Sequence, residues 1–479
     1  MTNNAATGFF KSWALAVPLC IALILAWLNP SGYRGGGADD WYYFQAAKCI
    51  AAQGWCTPET HWAARWPLLL PMSWALQIFD DARTSLNFVS AAFSLSAVVL
   101  VTLIANKLGG RAAGCSAGLI FILTPAVANL LLLPNVDMPE LAFLLGGTLC
   151  GFASMSRRSR WIAVLGGMSF GLAVATRETA IAVIAPLFLV AVCHLERHTL
   201  MLFLSSFTVI PFGEAMFHWL DSGNPLLRLN LALSHTTIAS TELQGDVSMT
   251  SPLFNADVIS RWQPASGIRL HWIIDPWINL FTNWECGLLL CAALALVAVR
   301  HRSVSSHTQV LAAVALMASL LLVYGLAIDP KPRMFMFAIS VAAILIGMFC
   351  ADQWHGGKSK LYVVVMHLIP AVTVFPVVTS TNWLRAENIA KQWMAETGFR
   401  ANVTENSRRR LAMVPGILEL PVSTSRPLLT LEFSDCRKNA ARAIDVRNPE
   451  PRLLAWLRDK GLLPSSNEIL MLCYYKQEF

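Results

Sequence analysis

The chain has 479 residues, 55% of them hydrophobic and only 14% charged, and a mean hydropathy of +0.52. Soluble globular domains carry roughly 25% charged residues, so this composition excludes an ordinary soluble enzyme and predicts a multi-span membrane protein. The net charge of +7 tracks short basic loops rather than one basic surface, and nucleic acid is not implied as a partner.

About 20 apolar residues cross a bilayer as a helix. Eleven such segments follow along the chain: 12–29, 85–105, 112–133, 139–154, 161–176, 179–194, 200–219, 284–300, 309–328, 334–350 and 361–378. No A-x-A-like site follows the first, which reads as an uncleaved anchor. With a cytoplasmic N-terminus, the loops on that side carry Lys107 and Arg111, "SRRSR" at 156–160, Arg197, Arg300 with Arg302, and Lys358 with Lys360. That is the positive-inside pattern.

The opposite side then receives residues 30–84, residues 220–283 and the tail after 378. The expected fold is an all-α polytopic bundle over residues 1–378, with short surface helices in both long outer loops. A small extracytoplasmic α/β domain is expected over 379–479. There "SRRRLAMVPGILELPV" and "RPLLTLEF" read as strands, and "PEPRLLAWLRDKGLLP" as a helix ended by Pro464. Short loops without long lumenal inserts point to a bacterial inner membrane.

Eleven cysteines are scattered along the chain without a C-x-x-C pair, so a zinc or redox motif has no foothold. On the outer side Cys49 with Cys56, and Cys436 with Cys473, are candidate pairs, and sequence leaves their connectivity open.

Ionisable residues beside apolar runs are expensive, so they are functional suspects. They are Asp39 and Asp40 in "GGGADDWYYF", Arg65 in "HWAARWPLLLP", Asp137 and Glu140 in "LLLPNVDMPELAF", Arg177 and Glu178 in "AVATRETAIAV", and Arg333 in "DPKPRMFMFAI". All fall on the outer side, although that topology rests on the basic loops alone. Paired carboxylates and arginines at a membrane boundary suit deprotonation of a hydroxyl or amine while a lipid-anchored phosphate departs. A general base contributes about 10²–10⁴-fold, and arginines stabilise the charge gathering on phosphate.

These segments, in this order, resemble the membrane-embedded glycosyltransferases of the GT-C class, among them protein O-mannosyltransferases and lipid A aminoarabinose transferases. "DDWYYF" is similar to an Asp-Glu-x-Tyr-Tyr signature in the first outer loop, and "RWPLLLP" to a K/R-x-P-L segment. "PNVDMPE" matches a second acidic motif, "ATRETA" a Thr-Lys/Arg motif, and "PRMFMF" an Arg-Tyr element. The resemblance covers roughly residues 10–350. Asp40 stands where the family usually has Glu, and Met334 where Tyr is common, which leaves open which acid is the base.

The resemblance implies inverting transfer of a sugar from a polyprenyl-phosphate donor to a glycan, lipid or protein acceptor on the non-cytoplasmic side. Asp39 would be the base or acceptor-orienting acid and Asp40 its assistant. Asp137 would fix an arginine or the acceptor. Arg65 would clasp the lipid phosphate, with Arg177 and Arg333 as further phosphate or pyranose contacts. Tyr43, Glu140 and Glu178 complete the implied substrate-binding set. No metal is obligatory, although some members of the wider class use a divalent ion.

Each residue also has a structural reading. Asp39 and Asp40 suit a solvated turn, Asp137 and Glu140 the N-terminal charge of span four, Arg177 with Glu178 an ion pair, and Arg65 a snorkelling cation. Glu214 and His218 suit a pocket or a helix-end pair. The aromatics of 271–287 suit an interfacial belt, and His235 and His271 have no partner at metal-ligand spacing. Two other functions compete: a transporter of a polar solute, which would bind near the bilayer midplane on broken helices, and a non-catalytic envelope scaffold.

Overall fold

The computed structural model describes residues 13–30, 32–33, 39–79, 81–157, 159–233, 270–300, 306–326, 328, 330–355 and 360–379. In the tail it describes four strands and residues 452, 456 and 460. The helices are α1 Trp13–Leu28, α2 Asp39–Gln53, α3 Trp66–Ile78, α4 Ala82–Leu123, α5 Pro125–Ala128, α6 Asp137–Arg157, α7 Arg160–Thr176 and α8 Ile181–His194. They continue as α9 Arg197–Ser222, α10 Leu227–Leu233, α11 Asp275–Thr282, α12 Gly287–Arg300, α13 Ser306–Leu320, α14 Met336–His355, α15 Lys360–Thr373 and α16 Phe375–Thr379.

Among the described residues six helices are long and apolar enough to cross a membrane, or seven if α11 and α12, bent by 107°, form one span. Three shorter apolar helices accompany them. The chain is a multi-pass helical membrane protein. Each of the eleven apolar segments coincides with a helix or with half of α4, which breaks at Gly110, where φ is 82°. Glycine alone adopts that left-handed backbone without strain, and the break turns one 42-residue helix into two consecutive passes.

The third apolar segment does not run to residue 133 as one helix. It stops at Leu123, because Pro125 forces Thr124 into an extended conformation (ψ 125°) and restarts a single turn. Both long loops, 30–84 and 220–283, contain helices: α2 and α3 in the first, α10 and α11 in the second. His235 and the expected strand at 407–422 lie outside the described residues, as does the Cys436–Cys473 pairing. Strand β2, Leu428–Ser434, falls on the "RPLLTLEF" stretch. With β1 Arg400–Val403, β3 Arg442–Asp445 and β4 Met471–Lys476 it forms a sheet of order β1-β2-β4-β3, in which only β1 and β2 pair in parallel.

Two apolar clusters organise the described part. The larger runs through the bundle and includes Phe121, Phe170 and Ile344. The smaller joins Tyr43, Ala47 and Ile50 of α2 to Leu68 and Met72 of α3, Leu86 of α4, and Val136. Val136 immediately precedes Asp137, so this small core carries the first long loop onto the start of α6. Phe93 packs against both clusters.

Helices α7 and α9 approach through glycine. A Cβ on Gly167 would lie 2.1 Å from the Phe203 carbonyl oxygen and 2.1 Å from Ser206 Oγ, the small-residue contact that lets membrane helices pack backbone to backbone. Gly167→Val should therefore destabilise the bundle by about 3 kcal/mol, read as a lower melting temperature in detergent. Gly151→Ala, where a Cβ would meet nothing within 4 Å, should leave it unchanged or slightly raised.

Candidate functional site

Asp39 and Asp40 open α2, where carboxylates are favoured by the positive end of the helix dipole. Their spacing separates their environments. Asp40 shares the buried face with Tyr43, Ala47 and Ile50 at helical intervals, and is 2% exposed. Asp39 lies on the neighbouring face, its side chain 44% exposed. The Trp62 indole N–H donates to Asp39 Oδ1 at 3.1 Å, and Arg333 Nη1 lies 3.6 Å from Asp39 Oδ2.

Arg65 is held by the start of α3. Pro67 occupies the first turn, and the Leu68 and Leu69 amides both donate to the Arg65 carbonyl at 3.1 Å. The side chain is thereby turned back to Tyr43, whose hydroxyl accepts from Arg65 Nη1. The guanidinium also lies 5.7 Å from the Tyr43 ring centroid, within cation–π range. Arg65 Nε is buried and has no hydrogen-bond partner among the described residues. Burial pushes the Tyr43 phenol well above its ordinary range, with Arg65 pulling it down and Asp39 and Asp137 pushing it up. Tyr43 therefore stays a neutral hydroxyl within electrostatic reach of both acidic motifs.

The second acidic motif opens α6. Asn135 Oδ1 accepts from the Met138 amide at 2.9 Å and caps the helix, placing Asp137 and Glu140 in the first turn. Arg177 reaches them from the end of α7. Its backbone is extended (φ −157°, ψ 133°) between α7 and the 3₁₀ turn Glu178–Ala180. Arg177 Nη1 donates to Asp137 Oδ1 at 2.6 Å and lies 3.7 Å from Glu140 Oε2. The ion pair of Arg177 with Glu178, the structural alternative for these two residues, does not form. The extended residue sends consecutive side chains to different partners, and Glu178 accepts from Arg228 Nε at 2.7 Å.

Arg333 sits on the 3₁₀ turn Pro332–Phe335 that leads into α14. Its neighbour Met334 places Sδ against Arg177 Nη2. One dipeptide thus touches both acidic motifs, Arg333 through Asp39 and Met334 through the arginine that holds Asp137. The residue standing where the resembling family usually has Tyr is a contact of the site.

Of the nine residues singled out from sequence, Asp39, Tyr43, Arg65, Asp137, Glu140, Arg177 and Arg333 converge directly. Asp40 lies beneath them on α2, and Glu178 faces a second ion cluster. Sequence reasoning missed the organiser of that cluster, Arg228 of α10. Its Nη1 donates to Glu214 Oε1 at 2.9 Å and Oε2 at 3.1 Å, and to the Ala175 carbonyl; its Nη2 donates to the Val174 carbonyl at 2.8 Å. The signal was a single arginine in the apolar stretch "NPLLRLNLAL". Glu214 therefore pairs mainly with Arg228, and His218 Nε2 lies 3.9 Å from it. Trp62 was also missed, although it stands three residues before Arg65.

The Cys49–Cys56 disulfide forms, with Cα atoms 6.1 Å apart. Among the described residues no group of three or more His, Cys, Asp and Glu side chains is placed to hold a metal ion. Beyond the polar site, an apolar groove of about 420 Å³ runs between α11, α12, α13 and α14, from Trp277 past Ala338 and Ala342 to Thr308. Trp277 of the expected aromatic belt lines it, and donates from Nε1 to the Tyr324 hydroxyl at 2.6 Å.

Arg228→Ala leaves two carboxylates without their cation and strips two carbonyls of their donor. It should cost about 3 kcal/mol or more, measured as lost thermal stability.

Residues 69–212 match the family model described as dolichyl-phosphate-mannose-protein mannosyltransferase. The matched region contains Asp137, Glu140, Arg177 and Glu178, and ends before Arg333. No curated protein matches the sequence significantly. Among solved structures, the archaeal oligosaccharyltransferase AglB of Archaeoglobus fulgidus, in complex with an inhibitory peptide and a dolichol-phosphate, is similar at 14% identity and a TM-score of 0.49. The alignment covers 90% of this chain and 62% of that one, so this chain spans about three fifths of its length. ArnT of Cupriavidus metallidurans, bound to undecaprenyl phosphate, is similar at 14% identity and a TM-score of 0.45, with 98% of each chain covered. Over residues 69–212 the chain is similar to the dolichyl-phosphate-mannose-protein mannosyltransferases, the resemblance its motif order implies.

Proposed function

We propose that the chain is an inverting glycosyltransferase that moves a sugar from a polyprenyl-phosphate-linked donor to an acceptor hydroxyl or amine at the extracytoplasmic face of a bacterial inner membrane. The observation that carries this reading is the convergence of five separated segments on one site, with Arg333 on Asp39, Met334 on Arg177, Arg177 on Asp137, and Arg65 on Tyr43. The family-model match over 69–212 supports the same chemistry.

Asp39 and Arg333, the half-exposed pair, form the open side of the site. The acceptor attacks the anomeric carbon while its proton passes to Asp39 Oδ2. The bond from that carbon to the phosphate oxygen breaks, and its electron pair remains on the phosphate. Arg333 and Arg65 receive the developing charge; Arg65 has a spare buried N–H for it. Arg177 is already satisfied by Asp137 and Glu140, so its part is to hold Asp137 rather than to bind phosphate. A single displacement needs no covalent enzyme intermediate. The isoprenoid follows the apolar groove along α14, whose first lining residue, Ala338, is one turn past Met334.

Two observations support this sidedness. A disulfide persists in an oxidising compartment, and Cys49–Cys56 closes the helix that begins with Asp39. The basic loops fall on the other side. Residues 379–479 form an extracytoplasmic domain in this reading. Arg452 of that tail donates to the Trp27 carbonyl at 3.2 Å and lies 5.1 Å from its ring, at the end of α1 that leads into the first outer loop.

Purified protein supplied with a radiolabelled polyprenyl-phosphate sugar should transfer label to envelope acceptors, and Asp39→Asn should lower kcat at least about 100-fold. Solute flux indifferent to that change would instead support a transporter. Ala342→Trp should raise the KM for a long-chain donor and spare one with a short isoprenoid, because it fills the groove.

A further inference from the structure

We infer that Trp62 is a positioning residue for the reaction: its indole N–H holds one carboxylate oxygen of Asp39 and turns the other to the open side of the site. The inference rests on the glycosyltransferase reading above. Asp39 and Tyr42 are three residues apart on α2 and so lie on the same side of the helix. Trp62 covers both. Its ring stacks on Tyr42 with centroids 4.3 Å apart and planes 13° apart, and its Nε1 donates to Asp39 Oδ1 at 3.1 Å. The His61 ring also lies against Trp62, at 3.8 Å between centroids. Oδ2 alone is then left toward Arg333, 3.6 Å away.

A half-exposed aspartate rotates freely about its terminal torsion, which is broad and roughly two-fold. A general base must instead present one lone pair along the line of the departing proton. Trp62 supplies that restraint, because it is itself immobilised: it is 5% exposed and belongs to the small core under the first outer loop.

The segment that carries it is fastened at three points. The Cys49–Cys56 disulfide ties its start to the end of α2. Trp55 packs edge-on against Phe217 of α9 at 4.4 Å between centroids. The Thr57 hydroxyl donates to Asp221 Oδ2 at 2.8 Å. The strap from 54 to 65 therefore delivers two groups with fixed geometry, the indole to Asp39 and the guanidinium of Arg65 to Tyr43.

Trp62→Phe keeps an aromatic ring for the stack and removes the N–H. In the purified enzyme with the labelled lipid donor, kcat should fall about tenfold, the loss expected for one hydrogen bond to a charged group, with the donor KM unchanged. Trp62→Leu, which removes both stack and N–H, should be no better than Trp62→Phe. Replacement of Trp62 by benzothienylalanine, which puts sulfur in place of the N–H and keeps the bicyclic shape, should show the same kcat loss with an unaltered melting temperature, even if the phenylalanine variant folds poorly. Wild-type kcat in the benzothienylalanine variant would overturn the inference and leave packing as the role of Trp62. If wild-type protein transfers sugar and Asp39→Asn does not, that failure concerns Trp62 alone; if wild-type protein transfers none, the glycosyltransferase reading falls with it.

Discussion

The ion pair between Arg177 and Asp137 is the constraint on which the site depends. A charge removed from water in an apolar bundle must be paired and hydrogen-bonded, and the end of α7 brings Arg177 to the one place where α6 opens with two carboxylates. The pairing fixes how α6 and α7 meet at that end. It also sets a sulfur and a guanidinium beside each other, so the turn entering α14 has to lie there too. From that turn Arg333 reaches Asp39. A chain of three contacts thus links helices far apart in sequence without any of them needing a long loop.

A second cluster repeats the logic one step away. Arg228 gathers Glu178, Glu214 and two carbonyls from the end of α7, anchoring the start of the second long loop where the first is tied to α9 by Thr57 and Asp221. Arg177 and Glu178 are adjacent, yet each belongs to a different cluster, because an extended residue between two helices points successive side chains apart. Within the first cluster the arginine is consumed by carboxylates. Arg65, with a spare buried N–H, and Arg333, half exposed, are the cations left with unused capacity. In the proposed reaction that difference in satisfaction, rather than the identity of the residue, separates scaffold from binding group.

Much of this architecture was legible in the chain. Apolar segments marked the helices, since nothing but a helix satisfies its own backbone within a span of this length in lipid. Pro67 marked a turn before a helix, and Cys49 and Cys56 stood out as a candidate pair whose connectivity the sequence left open and the fold closed. The charged residues stood out because each interrupts an apolar run. Missed were the break of the third segment at Thr124 and the role of Arg228, the second because its five hydrogen bonds go to two stretches distant from it in sequence, residues 174–178 and Glu214.

The sequence by itself determined which segments are helical, which residues are too costly to bury without purpose, and which side of the membrane the basic loops favour, because these follow from hydrophobicity and local backbone preference. Only the tertiary structure decided which cation meets which acid. Arg177 chose Asp137 over its neighbour Glu178, Met334 took a place beside Arg177, and Trp62 closed on Asp39. Partner choice depends on distances between helices and on what each partner leaves unsatisfied, and neither quantity exists until the chain has packed.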